Sequence, residues 1–518
     1  MEPGPRRPAG RLRPDVDGGT TVGDPETGPA PADGALPPVP RRGSELLLLV
    51  AALVTVAATL LSASLSVTGG VGPGVVVYFA VLCAGAVSLH LVLRRVAPHA
   101  DPVVMPVATV LNGLGVTMIW VVEMTRSSSL AEHGDADRQM VWTVVGMALC
   151  AATVVVVRRP QRLTLYTYMI AAAALLLLLL PLSPLGHEVL GARRWIRLGQ
   201  FTMQPSEFAK VLLVLFLASH LGRRREVMAL VTRTVRVGRF KVFSVPRGRD
   251  LAPMAVGWGM AILLLVGTRD LGTSLLLFGT FLAVLYAATA RKSWVLIGLV
   301  AFSAGAYAAY LMFGHVRNRV EIWLHAFDEE VYSRPGGSYQ IVEGMFALAE
   351  GGLTGTGFGA GFVQEVFAAD SDLVLVSVGE KLGLTGLMAV LLLLFVLAER
   401  GFRIALGARD WFLKLTALGY AFLTAFDVFI VLGGATLIIP LTGMTAPFLS
   451  AGGSALMANW VIVGLWLTIS ETARRPRPGP GGAAQDPATE AIDVGPRRNR
   501  SGAAGDEAGP GYPAVPSQ

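Results

Sequence analysis

Long apolar stretches recur along most of the chain, and shorter polar segments separate them. A stretch of about 17 to 25 apolar residues is long enough for a helix to cross a hydrocarbon core about 30 Å thick. The pattern predicts an all-α polytopic membrane protein. We place twelve spans at residues 45–66, 73–93, 102–122, 139–157, 164–183, 206–221, 252–268, 272–290, 293–313, 373–398, 411–433 and 454–471.

Composition supports a membrane location. Of the 518 residues, 53% are hydrophobic and only 15% are charged, which is too apolar for an ordinary soluble protein. Residues 1–43 and 473–518 are rich in Pro, Gly, Ala and Arg and lack apolar periodicity. They are predicted to be disordered tails that flank one membrane domain, residues 44–472.

The distribution of basic residues predicts the topology. If the amino terminus is cytoplasmic, every strongly basic connection falls on the cytoplasmic side, as the positive-inside rule requires. These connections contain Arg94/Arg95, Arg158/Arg159/Arg162, the run from Arg223 to Arg249, Arg291/Lys292, Arg400/Arg403 and Arg474/Arg475/Arg477. Both termini are therefore predicted to be cytoplasmic. The outer face then receives residues 184–205, the connection at 269–270 and the loop 314–372, whose aromatic and apolar content predicts an ordered structure.

Several other kinds of site are disfavoured. Cys83 and Cys150 lie inside apolar runs, so the sequence suggests neither a disulfide framework nor a metal knuckle. The seven histidines show no metal-ligand spacing. The net charge of +7 comes from basic residues at the ends of spans, which indicates topology and does not predict nucleic-acid binding.

The segment GARRWIRLGQFTMQPSEFAK, residues 191–210, carries arginines on the predicted outer face, where the positive-inside tendency disfavours them. Arg193 and Arg194 directly precede Trp195, and guanidinium groups suit phosphate oxygens, so the segment is a candidate cradle for an anionic lipid headgroup. An interfacial amphipathic segment held by general lipid contacts is the alternative. Glu207 and Lys210 are i,i+3 neighbours in a membrane helix, which marks either a functional site or an ion pair at the helix start.

Carboxylates occur at two other outer positions. Asp270 follows Arg269, and the two side chains could simply neutralise each other in a hairpin. Asp370 and Asp372 end the outer loop, where partial desolvation and like charge would raise one carboxyl pKa toward that of a general base. A helix-capping aspartate is the alternative. The glycines at 355, 357, 359 and 361 lack the Gly-Lys-Ser/Thr of a nucleotide loop.

Six motifs together resemble one family. They are GARRWIRLG…QPSEFAK, RDLGTS, RVEIWL…SYQ, GGLTGTGFG, SDLVLVSVGEKLGLTG and PLTGMTAPFLSAGGSALMAN. In this order, over about residues 102–471, they resemble the SEDS family, the RodA/FtsW/SpoVE cell-wall proteins. The two additional spans at the amino end are similar to those of RodA-type members.

The resemblance implies a peptidoglycan glycosyltransferase of the bacterial cytoplasmic membrane, which polymerises lipid II on the outer face with a class B penicillin-binding protein as partner. It assigns the catalytic role to Asp372. It places Arg194, Glu207 and Lys210 at the pyrophosphate-lipid region, and Asp270 and Arg319 at cavity positions. It leaves room for a divalent cation, Mg²⁺ or Mn²⁺, at the pyrophosphate. A lipid II flippase is the alternative function, and a recruiting scaffold is a third.

Departures from the family pattern lead to one further expectation. Lys381 stands where the family usually has glutamate, and Asp427 stands where it usually has glutamine. Because an isolated charge inside a membrane costs about 2.5 to 3.5 kcal/mol on insertion scales, we expect these two to form a buried ion pair. In the alternative, Lys381 pairs with Glu380 or extends toward water, and burial keeps Asp427 neutral.

Overall fold

The computed structural model describes residues 42–126, 134–189, 192–199, 201–230, 233–237, 240–245 and 248–475. The two predicted tails lie outside these ranges, except for the few residues of each that adjoin the membrane domain. The described residues are mostly helical, with two small antiparallel sheets.

Each of the twelve predicted spans coincides with a helix. In chain order the helices are α1 (Arg42–Thr68), α2 (Pro73–Val96), α3 (Val104–Thr125), α4 (Asp135–Val156), α5 (Thr167–Leu179), α6 (Pro205–Leu230), α7 (Gly248–Gly267), α8 (Leu271–Thr289), α9 (Lys292–Met312), α10 (Gly314–Leu324), α11 (Glu329–Ser333), α12 (Tyr339–Glu350), α13 (Val374–Gly407), α14 (Trp411–Ala435) and α15 (Gly453–Arg474). Short 3-10 helices extend α5 over Pro160–Leu182. Within the described ranges, eleven helices are long and apolar enough to cross a membrane, and α7 adds a shorter apolar part, Trp258–Gly267.

The spans differ sharply in how much protein surrounds them. In α3, 94% of the most apolar stretch is buried, whereas none of the corresponding stretch of α9 is buried. Gly115 shows why α3 can lie at the centre: a Cβ at this position would lie only 2.5 Å from the carbonyl oxygen of Phe448. Small residues permit this close approach of backbones in a membrane bundle. Helix α9, apolar on all sides, is left to face lipid.

A three-stranded sheet follows the fifth span, which the sequence analysis did not predict. Its strands are β1 (Gly186–Val189), β2 (Ala192–Leu198) and β3 (Phe201–Met203), paired antiparallel in this order. Successive side chains of a strand point to opposite faces. Arg194 therefore shares a face of β2 with the buried Ile196, while Arg193 lies on the other face and is exposed. Strands β4 (Arg233–Val237) and β5 (Phe240–Val245) form a separate hairpin.

The loop 314–372 has regular structure, as predicted. It contains α10, α11, α12 and a 3-10 turn at Val363–Glu365. Its helices pack on the end of α14: the Trp323 indole nitrogen donates a hydrogen bond to Leu437 O at 2.8 Å, and Arg319 Nη1 donates to Leu441 O at 2.9 Å. These contacts cover the carboxyl-terminal end of α14 with the loop.

Helix α13 is interrupted at Gly383, where φ is +70° and ψ is −178°. The interruption leaves carbonyl groups of α13 without a helical hydrogen-bond partner, and backbone amides of the preceding glycine-rich run donate to them. The amides of Thr356 and Gly357 donate to the carbonyls of Glu380 and Lys381 at 2.9 and 3.1 Å. The glycine-rich run thus donates hydrogen bonds to carbonyl groups that the interruption of α13 leaves without a helical partner. Such groups need partners inside the protein when they lie in a membrane.

The prediction of an ion pair between Lys381 and Asp427 is wrong. Lys381 Nζ lies 3.0 Å from Glu380 Oε2 and donates a hydrogen bond to Gln364 Oε1 at 3.0 Å. Asp427 instead lies near Lys210, with 3.7 Å between Oδ2 and Nζ. Each charge has a nearer partner than the one that the sequence suggested. Lys381 thus pairs with its neighbour in sequence, and Asp427 pairs with a lysine on a helix distant in sequence.

Candidate active site

A cavity of about 870 Å³ lies where the loop 314–372 meets β2 and the turn after α14. This volume is in the range of pockets that bind ligands of drug size or larger. Its wall carries basic, aromatic and carboxylate side chains together, among them Arg194, Arg319, Arg334, Tyr339 and Asp372. A concave surface with a few convergent polar groups is the default candidate for an active site.

Asp372 is held in the wall by its backbone neighbours. Ser450 Oγ donates to Ser371 O at 2.6 Å, and Ala451 N donates to Asp370 O at 2.8 Å. The side chain itself is half-buried, and burial raises the pKa of Asp372 to about 6. The guanidinium groups of Arg194 and Arg319 oppose this rise, and Asp370 adds to it. A carboxyl group with this pKa is suited to proton transfer near neutral pH.

Arg194 and Arg319 bring two positive charges beside this carboxylate. Burial lowers the pKa of Arg319, and the charge of Arg194 lowers it further. Arg194 Nη1 lies 3.9 Å from Asp270 Oδ1, but Arg194 Nε is buried without a hydrogen-bond partner among the described residues. Leaving a buried charged donor unmatched is costly. An anionic ligand in the cavity would supply the missing acceptor.

A series of polar contacts continues from Arg194 into the helical bundle. Asp270 caps α8 by accepting a hydrogen bond from Thr273 N at 3.2 Å, and it also accepts from Ser206 Oγ at 3.4 Å. Glu207 follows Ser206 in α6, and its Oε2 lies 2.7 Å from Nζ of Lys210, one turn further along the helix. Glu207 and Lys210 are therefore connected to the cavity through neighbours and do not line it themselves.

The predicted site residues thus divide into three groups. Asp372, Arg194 and Arg319 lie on the cavity wall, and Asp270 contacts Arg194. Glu207 and Lys210 lie behind Asp270 in the bundle. Arg193 is on the outer face of β2, so the structure does not bring it into the cavity. Its role in substrate binding stays a prediction.

Other residues of the wall were not identified from the sequence as site residues. Arg269, His315, Arg334 and Gln340 line the cavity. Burial lowers the pKa of His315, and Arg269 and Arg319 add to this effect. These side chains come from separate loops and short helices, and they follow no fixed spacing. Gln340 belongs to the SYQ tripeptide of a family motif, which by itself does not indicate a role in a site.

The described side chains do not by themselves provide a full set of ligands for a metal ion. Among the residues that the structure describes, no three or more His, Cys, Asp or Glu side chains are grouped so that they could hold a metal ion. The Mg²⁺ or Mn²⁺ that the resemblance allows would therefore depend on substrate oxygens as ligands.

Comparison with known proteins identifies relatives over most of the chain. The profile of the FtsW/RodA/SpoVE family of cell cycle proteins matches residues 102–475. The chain is 41% identical over 445 residues to the peptidoglycan glycosyltransferase RodA of Mycobacterium tuberculosis strain H37Rv, covering 85% of this chain and 93% of that protein.

Solved structures share the fold. The rod shape determining protein RodA of Thermus thermophilus matches with a TM-score of 0.50 and 25% identity, covering 73% of this chain and 98% of that one. A chain from a peptidoglycan synthase complex that coordinates polymerization and crosslinking matches with a TM-score of 0.50 and 24% identity, covering 77% and 98%. The sequence match extends over the helices and the cavity alike, and this chain is an integral membrane protein that belongs to the FtsW/RodA/SpoVE family, the SEDS proteins.

Proposed function

We propose that this protein is a peptidoglycan glycosyltransferase that polymerises lipid II, with Asp372 as the general base. One observation carries the proposal: a half-buried carboxyl group with a pKa of about 6 faces a cavity lined by four arginines, two of which, Arg194 and Arg319, lower this pKa. The name of the mycobacterial relative supports the same activity. A base and cationic groups at one cavity suit a transfer reaction in which a hydroxyl group attacks and a phosphate departs.

The reaction joins two lipid-linked disaccharides. Asp372 removes the proton from the 4-hydroxyl of the N-acetylglucosamine of one disaccharide. The oxygen attacks the anomeric carbon of the other, a new glycosidic bond forms, and the bond to the pyrophosphate breaks. Undecaprenyl pyrophosphate leaves with the bonding electrons, and the proton stays on Asp372. A single displacement inverts the anomeric centre and needs no covalent enzyme intermediate.

The cationic groups of the cavity stabilise the departing pyrophosphate. Arg194 can donate a hydrogen bond from its Nε, which has no partner among the described residues. Arg319 is oriented by the hydrogen bond that its Nη1 donates to Leu441 O at 2.9 Å. Asp270 orients Arg194, because its Oδ1 lies 3.9 Å from Nη1 while Asp270 itself does not line the cavity. Glu207 and Lys210 support Asp270 through the start of α6. Preorganised charges of this kind often supply the largest share of catalysis.

The orientation in the membrane follows from the same proposal. The cavity opens at the outer face of the bacterial cytoplasmic membrane, and both termini are cytoplasmic. The polymerase works in cell growth or division with a class B penicillin-binding protein, which crosslinks the strands. The fold shared with a chain of a peptidoglycan synthase complex supports this partnership.

A lipid II flippase is the second candidate, and the charges buried in the bundle favour it. Lys210 and Asp427 are both 1% exposed, and charged groups at membrane depth often mark a transport path. A transport path must open to both faces, however. The cavity that contains Asp372, Arg194 and Arg319 lies at one end of the bundle, which suits a polymerase better.

The decisive experiment compares Asp372→Asn with Asp370→Asn in the purified protein, supplied with lipid II and the partner transpeptidase. Loss of a general base costs about 10²- to 10⁴-fold in rate, so Asp372→Asn should form almost no glycan strands. Asp370 is the matched control, because its Oδ1 lies 3.8 Å from Arg126 and it does not line the cavity. Equal loss in both variants would contradict the assignment.

A second measurement separates the two candidate functions. Movement of lipid II between leaflets is followed in vesicles that contain the protein alone. A polymerase with Asp372→Asn should bind lipid II and leave its distribution unchanged. Rapid lipid II exchange by the wild-type protein, lost in Lys210→Met and kept in Asp372→Asn, would favour the flippase.

A further inference from the structure

A second cavity lies at the end of the bundle opposite Asp372, where α2, α4 and α15 end. Its volume is about 320 Å³. Four arginines line it: Arg95 at the end of α2, Arg158 and Arg159 after α4, and Arg475 after α15. Residues far apart in sequence thus bring positive charge to one concave surface.

The acidic groups nearby already have partners. Glu471 accepts a hydrogen bond from the backbone amide of His99, and its Oε1 lies 3.2 Å from His99 Nδ1. Asp101 Oδ2 lies 2.7 Å from Arg474 Nη2. Glu471 is also the only carboxylate among the described residues of the cavity wall. The four arginines therefore outnumber the acid that faces them.

Most of these arginines have no protein partner. Within the described ranges, the side chains of Arg95, Arg159 and Arg475 form no hydrogen bond or ion pair, and the Arg158 side chain donates only its Nε, to Val155 O at 3.1 Å. Like charges held at a common cavity repel one another. A ligand with phosphate oxygens would remove this repulsion, because guanidinium groups bind such oxygens with paired hydrogen bonds.

The position of the cavity indicates the source of the phosphate. Val156, the last residue of α4, is 79% exposed and lies two residues before Arg158. An exposed apolar side chain at the end of a membrane helix is available to acyl chains, while the adjacent arginines reach the headgroup layer. Basic pockets between membrane helices on the cytoplasmic side bind anionic lipid headgroups.

We propose that this cavity binds the phosphate headgroup of an anionic phospholipid in the leaflet opposite the active site. The bound lipid connects the ends of α2, α4 and α15 and stabilises the bundle from that side. In the orientation proposed above, this is the cytoplasmic leaflet.

The test uses the full-length purified protein in nanodiscs of phosphatidylcholine, with or without phosphatidylglycerol, and measures retained lipid by native mass spectrometry. Arg95→Gln with Arg159→Gln removes two cavity arginines. Arg94→Gln with Arg162→Gln is the matched control: Arg94 precedes Arg95 at the end of α2, Arg162 lies three residues after Arg159 in the 3-10 segment, and neither lines the cavity. Unfolding temperatures in phosphatidylcholine alone, equal for both variants, show that folding is preserved.

We expect phosphatidylglycerol to bind the wild-type protein and the control variant alike, and to bind the cavity variant about tenfold or more weakly, since two charge-assisted contacts are lost. Phosphatidylglycerol should also raise the unfolding temperature, except in the cavity variant. Equal weakening in both variants would show a general surface attraction and overturn the proposal. If inorganic phosphate displaces the lipid completely and stabilises the protein equally, the cavity is a site for a free anion.

Discussion

Lys210 Nζ lies 3.7 Å from Asp427 Oδ2 and connects α6 to α14 inside the membrane bundle. Both side chains are 1% exposed. Lys210 also contacts Glu207 on its own helix, so one ammonium group serves two carboxylates. A second contact joins the same helices, as Tyr420 Oη donates to Val211 O at 2.9 Å. The start of α6, which contacts Asp270, is thereby fixed to α14.

This relationship predicts energetic coupling between Lys210 and Asp427. Lys210→Met leaves two buried carboxylates without their cation and should lower the free energy of unfolding by about 3–5 kcal/mol. Asp427→Leu should cost less, because Lys210 keeps Glu207. In a double-mutant cycle measured by unfolding in detergent, the coupling energy should be about 0.5–3 kcal/mol.

Lys381 provides the control for this cycle. Lys381→Met combined with Asp427→Leu should give losses that add within about 0.5 kcal/mol, because the two residues have separate partners. The reverse result, with coupling between Lys381 and Asp427 and none between Lys210 and Asp427, would contradict the structure.

The pKa of Asp372 predicts how polymerisation depends on pH. A general base acts in its deprotonated form, so with a pKa of about 6 the rate should be half-maximal near pH 6. Below that pH it should fall about tenfold per unit, and above it the rate should level off. Initial rates of glycan formation between pH 5 and 8 measure this curve. A rate that is constant down to pH 5 would exclude Asp372 as the base.

Arg319→Gln should move this curve in a defined direction. The guanidinium of Arg319 lowers the pKa of Asp372, so its removal should raise that pKa and shift the acidic limb to higher pH. Arg317→Gln is the control, because Arg317 does not line the cavity. An acidic limb at the same pH in wild type and Arg319→Gln would show that the two groups do not interact.

A methyl group at position 443 should disturb the base directly. Gly443 has φ +69°, and a Cβ there would lie 3.3 Å from Asp372 Oδ2. Gly336 lines the same cavity with φ +70°, but a Cβ there would meet no described atom within 4 Å. Both alanine variants bear a similar backbone strain, of about 1–2 kcal/mol. Only Gly443→Ala should also lower the polymerisation rate per folded molecule. Equal rates in the two variants would contradict the close contact.

Gly383 should tolerate no side chain. At φ +70° and ψ −178° it occupies a region open almost only to glycine, and a Cβ would lie 2.4 Å from both Gly355 N and Leu353 O. We expect Gly383→Ala to lower the unfolding temperature strongly. Gly305→Ala in α9, where a Cβ meets no described atom within 4 Å, should leave it unchanged or slightly raised. Similar unfolding temperatures for the two variants would mean that α13 is continuous.

The sequence alone determined the membrane spans and indicated several residues of the candidate active site. A long apolar stretch partitions into lipid whatever its neighbours are, so twelve helices could be placed without knowing their packing. Asp372, Arg194 and Arg319 were identified because charged groups in unfavourable positions are conspicuous, and family motifs indicated their roles. The loop 314–372 was predicted to be ordered from its apolar and aromatic content.

Only the tertiary structure decided which charged groups meet. In β2 the strand geometry directs Arg194 inward and Arg193 outward, although the two are adjacent in sequence. The sequence predicted an ion pair between Lys381 and Asp427. In the structure, Lys381 pairs with Glu380, and Asp427 pairs with Lys210. The reason is physical: insertion into lipid depends on each segment by itself, whereas ion pairs depend on which helix faces pack together. The apolar residues that dominate these faces would fit lipid or many other helices equally well.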